Sequence, residues 1–514
     1  MDALMKRVIV GLRDRHWWQQ VWASAVAGFV ALLPLILSVN LYIDDIERAM
    51  DGSLGWVRLG RPLADVLMEW LNFGRPLVAV APLHTLAAIA VLSLTGVMCA
   101  RAYGERSLWW TALASLPLMA QPYALQAMSY GFDSLIMALA LGAALLAALW
   151  AQRVRDWRGW GTALLLLVVS FNLYQPAANG FLVMTGFLCI ASALNLLEQP
   201  WQRLTLSGRL LRGAVVYAGG YGLYRLSFAL LFEHRLNRYA SSAAEFKQLD
   251  LSLPQALSAS ALEPFQQLWD DFGRWPVVMP LLLLLLTYFV VLKLWSSWRV
   301  AGLVVAAAAL VSLLAPGGLL LLRESFVRHP RVLLYVGPLL TNLILQILAM
   351  TRRSSRQLWR LAVVPLIWLM VVVSYAYGHA FAAQAEFEQG QLSRIVAAAS
   401  QLQSRDGAQP AQFLIVQGTM PRSPVLNNTV RKFPLIDRLI PPLLDGNQTF
   451  SFSQLRLHGL DLAKRRPEDL EGGVPESCVP SPDAICTSEF SLQKVAGDTL
   501  LLRRMSFPEG RSST

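Results

Sequence analysis

Charge is what this sequence has least of. Of its 514 residues only 15% are Asp, Glu, Lys or Arg, against roughly 25% in soluble domains. With 55% hydrophobic residues and a mean hydropathy of +0.45, an ordinary water-soluble globule is excluded. Cysteine is scarce as well, four in all, and the six histidines are scattered. No Cys or His spacing resembles a metal site. A P-loop, a dinucleotide fingerprint and an internal repeat are all missing. The sequence therefore predicts no cofactor and names no metal ligand, and metal dependence stays open. No small-residue cleavage site follows the first apolar run, so that run reads as an anchor and not as a cleaved signal peptide.

What the sequence does have is long apolar runs. A helix of about 20 such residues crosses the roughly 30 Å hydrocarbon core of a bilayer. The runs predict eleven spans, at about 21–40, 76–100, 108–122, 131–151, 160–175, 178–197, 213–232, 276–294, 300–322, 330–350 and 361–380. Lys and Arg set their direction. One side receives Lys6, Arg7, Arg13, Arg15, Arg101, Arg106, Arg153, Arg155, Arg158, Arg203, Arg209 and Arg212, then Lys293, Arg299, Arg352, Arg353, Arg356 and Arg360. These connections hold few acids and read as cytoplasmic. The N-terminus is then inside and, with an odd number of spans, the C-terminus outside. The net charge of +11 is mostly topological; it calls for anionic lipid headgroups and for no nucleic acid.

The expected fold class is an all-α polytopic membrane protein with a small α/β domain after it. Residues 1–380 would form the membrane part, including a long first outer loop at 41–75, and residues 381–514 a polar outer domain. In that tail, 381–403 has a helical pattern, "AQFLIVQG" reads as a strand, and "FSLQKVAGDTLLLRR" reads as a hairpin around Ala496, Gly497 and Asp498. "RRPEDLEGGVPESCVPSPDA" reads as loop. Cys478 and Cys486 flank part of this loop, and outside the cytoplasm they are expected to form a disulfide. Cys99 and Cys189 fall within spans and read as packing residues.

The chemistry concentrates in "LSVNLYIDDIERAMDGSLGWVRLGRP", residues 37–62. Asp44 and Asp45 follow the first span directly, then Arg48, Arg58 and Arg61. A paired acid at a membrane exit can be a solvated helix end, or can favour the start of the next helix. It can also do chemistry: two adjacent carboxylates repel as anions, and a carboxylate is a competent general base for a sugar hydroxyl. Arginines grip a phosphate bidentately. Together they suit transfer of a group from a lipid phosphate to a hydroxyl. Downstream, Leu63, Val66, Leu67, Trp70 and Leu71 recur at helical spacing, with Asp65, Glu69 and Asn72 opposite. That pattern predicts a short amphipathic helix suited to lying in the membrane interface.

"NLYIDDIERAMDGSLGWVRLGRPL" resembles the N-terminal signature of the GtrII-type, serotype-converting O-antigen glucosyltransferases: an acidic pair after the first span, an Arg soon after, then Gly55-Trp56 and Gly60 to Leu63. "SYGFDSL", "FNLYQPA" and "HPRVLLYVGP" are weaker echoes, and the tail carries no matching motif. The resemblance implies a GT-C type glycosyltransferase of the bacterial inner membrane. It implies glucose on undecaprenyl phosphate as donor at the periplasmic face, a sugar of lipid-linked O-antigen as acceptor, and transfer with inversion. By the same resemblance Asp44 or Asp45 is the base, with Asp44 favoured; the sequence itself does not separate them.

Further candidates for binding donor or substrate are Arg48 and Arg61; Asp133, costly near a span end unless it lines a wet cavity; Tyr174 and Gln175 before Pro176; and Arg323, Arg328, His329 and Arg331, which could hold the lipid phosphate or simply meet headgroups. Two other readings remain: a transferase of the same type with another sugar or acceptor, and a flippase for lipid-linked sugars. A transporter would favour broken helices and charges at mid-membrane in two related halves, and no such duplication is present.

Overall fold

The computed structural model describes residues 14–38, 40–153, 157–198, 205–236, 262–263, 266–317, 329–352, 354–404, 410–446, 450–470, 473–475 and 477–504. The chain divides into two compact units. One comprises Met1–Val39, Leu54–Gly378 and Phe433–Leu439; the other comprises Asn40–Ser53, His379–Lys432 and Ile440–Thr514.

The first unit is helical. Its long helices are α1 (Arg15–Ser38), α4 (Leu83–Ala102), α5 (Leu108–Ala120), α7 (Ser134–Arg153), α8 (Trp157–Leu173), α9 (Asn179–Ala193), α10 (Leu206–Leu231), α11 (Trp275–Trp295), α12 (Trp298–Gly317), α13 (Val336–Met350) and the start of α14 (Val364–Gln403). Each expected span coincides with one of these helices. Seven helical stretches among the described residues are long and apolar enough to cross a membrane, and α5 and Trp298–Ser312 are shorter apolar helices. The protein is thus a polytopic helical membrane protein with a small sheet near its C-terminus. Shorter elements lie between α1 and α4, namely α2 (Asp44–Asp51), a 3-10 turn (Trp56–Leu59) and α3 (Pro62–Leu71), and α6 (Ala124–Ser129) follows α5. Two helices, α9 and α13, are entered through 3-10 turns, Gln175–Ala178 and Pro330–Tyr335.

Two boundaries differ from expectation, for local reasons. The second span starts at Leu83 and not near 76, because Pro76 and Pro82 interrupt the run; proline lacks an N–H and turns the residue before it away from helical geometry. At the other end, the last span and the helix expected over 381–403 are one helix, α14. Its 40 residues are about twice what a membrane span needs, and the half from Gln384 onward is polar.

Between apolar helices in lipid, packing and buried hydrogen bonds replace the hydrophobic drive. Both operate here. Gly96 lets α4 approach α5 so closely that a Cβ there would lie 2.3 Å from Ser115 Oγ. On α13, Asn342 and Gln346 sit one turn apart. Tyr103 donates to Asn342 Oδ1 at 2.8 Å and Tyr288 to Gln346 Oε1 at 2.7 Å, while Gln346 Nε2 donates to the Phe187 carbonyl at 3.1 Å. These bonds stitch α13 to α4's end, α11 and α9.

The second unit carries the small sheet of the C-terminal region. Its strands are β1 (Phe413–Gln417), β2 (Ala463–Lys464), β3 (Ala484–Cys486), β4 (Phe490–Ala496) and β5 (Thr499–Arg504), in sheet order β2-β1-β5-β4-β3. β1 pairs in parallel with β2 and β5; β4 pairs antiparallel with β5 and β3. Strand side chains alternate between faces. Leu414, Val416, Leu492, Leu500 and Leu502 meet Leu392, Ile395, Ala399 and Leu402 of α14, with Leu455 of α17 (Phe450–Leu457). Ile415 and Leu501 on the other face meet Leu470, with Val474 against them. Cys478 and Cys486 are bonded, as expected, with Cα atoms 6.0 Å apart, and join the loop to β3. A buried bracket holds α14 to the loops: Ser423 N–H donates to Gln384 Oε1 at 2.7 Å, and Glu388 Oε1 accepts from Gln384 Nε2 at 2.9 Å and from Leu443 N–H at 3.0 Å. Two further short helices, α15 (Pro424–Lys432) and α16 (Leu435–Leu439), complete the tail; α16 belongs to the first unit.

Candidate active site

The acid pair opens α2 in the second unit. Asp44, Asp45 and Glu47 occupy its first turn, where carboxylates favour the exposed N–H ends of a helix. Gly52 closes α2 in left-handed geometry, its N–H donating to the Arg48 carbonyl at 2.9 Å. The chain enters this helix through Ile43 at φ +46°, a region a β-branched residue rarely adopts and which costs of order 1–3 kcal/mol. Within its unit α2 is fixed by packing on α17 and by the Asp51–Arg456 ion pair at 2.9 Å. Tyr42 lies edge-on to Phe381.

This placement gives the two acids different surroundings. Asp45 is 1% exposed, and Ile46 and Arg48 are buried beside it on the helix. Asp44 is half-buried, and its carboxylate makes no hydrogen bond or ion pair with a described residue.

The other candidates gather in the first unit. Asp65 on α3 folds the preceding turn: its Oδ1 accepts from the N–H groups of Gly55 (3.1 Å) and Trp56 (2.8 Å), its Oδ2 from that of Val57 (3.0 Å). Asp65 thus has a structural partner and is not merely a solvated residue on the polar side of an amphipathic helix. That helix buries Ala64 and Met68, while Val66 (63%) and Trp70 (73%) are exposed, the outward apolar face the sequence predicts. Trp56, held by Asp65, is fully buried and its indole N–H donates to Asp133, itself 4% exposed. Asp133 is therefore engaged by protein.

Arg61 follows this turn. Its guanidinium lies 4.5 Å above the Tyr174 ring, and its Nε donates to Gln175 Oε1 at 3.2 Å. Its terminal nitrogens make no hydrogen bond with a described residue. Tyr174 in turn donates to the Arg331 carbonyl at 3.2 Å, Gln126 Oε1 accepts from the Arg331 N–H at 2.8 Å, and the Arg331 guanidinium sits over the Tyr130 ring and donates to its hydroxyl. Hydrogen bonds and ring contacts thus link Arg61, Tyr174, Gln175 and Arg331, four residues singled out from sequence, in one network with Tyr130 and Gln126, three residues before Asp133 and seven. His329 is exposed at the start of the Pro330–Tyr335 turn. Arg323 and Arg328 lie outside the described residues. Sequence reading named Trp56 only within the family signature and Asp65 only on the polar side of its helix, and it passed over Tyr130 and Gln126; the available signal was a tyrosine and a glutamine within otherwise apolar or turn-forming stretches. Among the described residues no three His, Cys, Asp or Glu side chains are grouped to hold a metal.

The fold and this network define a polytopic helical membrane protein with two arginines, Arg61 and Arg331, held by polar and aromatic side chains where two helices are entered through 3-10 turns. The sequence model of one family, glucosyl transferase GtrII, matches residues 33–342, which span the acid pair and every member of the network. The chain belongs to the GtrII glucosyl transferase family. It is also similar, at 24% identity over 168 residues, to an uncharacterized 55.3 kDa protein in the gtrB 5' region of Salmonella phage P22; the match covers 32% of this chain and 34% of that protein. No solved structure matches.

Proposed function

We propose that the protein is an inverting GT-C type glucosyltransferase of the bacterial inner membrane. It moves glucose from undecaprenyl-phosphate-glucose to a sugar hydroxyl of lipid-linked O-antigen at the periplasmic face, with the N-terminus cytoplasmic and residues 381–514 outside. The acceptor oxygen forms a bond to the anomeric carbon as the bond from that carbon to the phosphate oxygen breaks. The hydroxyl proton passes to the Asp44 carboxylate, and undecaprenyl phosphate leaves as an anion neutralised by Arg61, with Arg331 in the same network. A phosphate is already a good leaving group, so no general acid is needed. The carrying observation is the asymmetry of the acid pair: a base needs an accessible carboxylate, and that of Asp44 is half-buried with no hydrogen bond or ion pair to a described residue, while Asp45 is buried.

The test is transfer of labelled glucose from undecaprenyl-phosphate-glucose in membranes. Asp44→Asn keeps size but cannot take a proton, and it should lower turnover by about 10²–10⁴-fold at normal expression and donor binding. Asp45→Asn should act mainly on the amount of folded protein. Arg61→Ala should raise the donor KM. Wild-type transfer by both Asn variants would make the acid pair structural and move the base elsewhere.

A further inference from the structure

Arg61 is aimed by its neighbours, and one of them comes from a distant helix. We infer that Tyr224, on α10, is a positioning residue for Arg61, acting through the Gly60–Arg61 peptide plane; this rests on Arg61 as a donor-phosphate ligand. Tyr224 is buried, and its ring stacks on Phe171 of α8 at 5.6 Å. Its hydroxyl does two things at once. It donates to the Gly60 carbonyl at 2.9 Å and accepts from Gln175 Nε2 at 3.0 Å.

The Gly60 carbonyl belongs to the peptide that joins Gly60 to Arg61. Its oxygen receives both Tyr224 and Gln175 Nε2, the latter at 2.8 Å. The N–H of the same plane, that of Arg61, donates to the Trp56 carbonyl at 2.9 Å. A peptide plane gripped at both edges cannot rotate, and the direction of the Arg61 side chain follows from it. Gln175 closes the circuit: with Nε2 turned to Gly60 and Tyr224, its Oε1 faces the Arg61 Nε. Glycine suits this position. Its φ is +77°, and a Cβ would lie 2.9 Å from both Gln175 Nε2 and the Tyr224 hydroxyl.

A structural hydroxyl and a positioning hydroxyl make different kinetic predictions. Tyr224→Phe keeps the stacked ring and removes the hydroxyl that bonds Gly60 and Gln175. In membranes supplied with undecaprenyl-phosphate-glucose it should raise the donor KM about 3- to 10-fold, the effect of one lost hydrogen bond, with kcat within about twofold. In an Arg61→Ala background it should add nothing, because the group it aims is gone. Tyr217→Phe is the control: this hydroxyl is on the same helix but donates to Asn179 Oδ1 at 3.2 Å, and the donor KM should not move. If Tyr224→Phe accumulates poorly, Gln175→Ala carries the test with the same expected non-additivity. An unchanged donor KM for the variant that accumulates, or effects that multiply with Arg61→Ala, would overturn the inference. Should Arg61→Ala itself leave the donor KM unchanged, the phosphate role of Arg61 falls first and this inference with it.

Discussion

At the scale of single residues, burial decides which groups can act. Asp44 and Asp45 are identical in chemistry and adjacent in sequence, and nothing local distinguishes them; only the packing of α2 makes one buried and leaves the other half open. Trp56 and Asp133 were equally out of reach of sequence reasoning as a pair, being separated by 77 positions, since no periodicity encodes a contact across that distance. Glu388 is a further case. Burial in the second unit raises its carboxyl to about 7 from an ordinary 4.5, opposed by the Gln384 and Leu443 donors. A carboxyl with a raised folded value holds a proton that the unfolded chain has lost, so its contribution to stability is intact below about pH 4.5 and declines as pH rises to 7. The decline amounts to about 3 kcal/mol. Glu388→Gln should remove this share of the slope in melts of the detergent-solubilised chain between pH 5 and 8. An unchanged slope would mean that the carboxyl titrates normally.

At the scale of elements, composition was a good guide wherever a segment's surroundings are uniform. Each apolar run became a helix because lipid leaves the backbone no other partner, and the "AQFLIVQG" strand and the "FSLQKVAGDTLLLRR" hairpin appear at β1, β4 and β5. What stayed hidden is pairing: β1 lies in parallel between β2 and β5, an arrangement set by tertiary packing and not by alternation. The Cys478–Cys486 bond was legible from the expected outer placement of the tail and the Pro-rich loop between the two cysteines. It closes a short loop, sequence separation 8, worth about 2–3 kcal/mol by loop-closure entropy. Replacing both cysteines with serine should lower the melting temperature of the second unit, and reductant should do the same to the wild type. Melting that is indifferent to both would show that the other contacts of this segment, such as Gln493 Nε2 to the Ser477 carbonyl, hold it without the disulfide.

At the scale of the whole molecule, the division of the chain was the least legible feature. Hydropathy suggests one cut near residue 380, yet Asn40–Ser53 clusters with the tail and Phe433–Leu439 with the helices. Local sequence carries no sign of such exchanges, which arise from contacts such as Asp51–Arg456 and Arg438–Asp271, each made by residues far apart in the chain. The direction of the spans rests on the Lys and Arg bias. Alkaline phosphatase fused after residue 400 should be active, because the enzyme matures only outside the cytoplasm, where its disulfides form. A fusion that is expressed normally but inactive would reverse the topology and place Asp44 on the cytoplasmic face.

The turn held by Asp65 has a consequence for how the protein meets salt. Its three N–H groups bind a carboxylate tethered to the same chain, whose effective concentration does not depend on the medium. The anion proposed for the terminal nitrogens of Arg61 is a lipid phosphate that arrives by diffusion in the membrane, and mobile ions at the surface screen and compete for it. Ionic strength therefore erodes the hold on a diffusing phosphate while leaving intact the turn that presents the arginine. The turn before Arg61 holds an anion of its own chain that cannot be washed out, whereas the anion proposed for Arg61 can be.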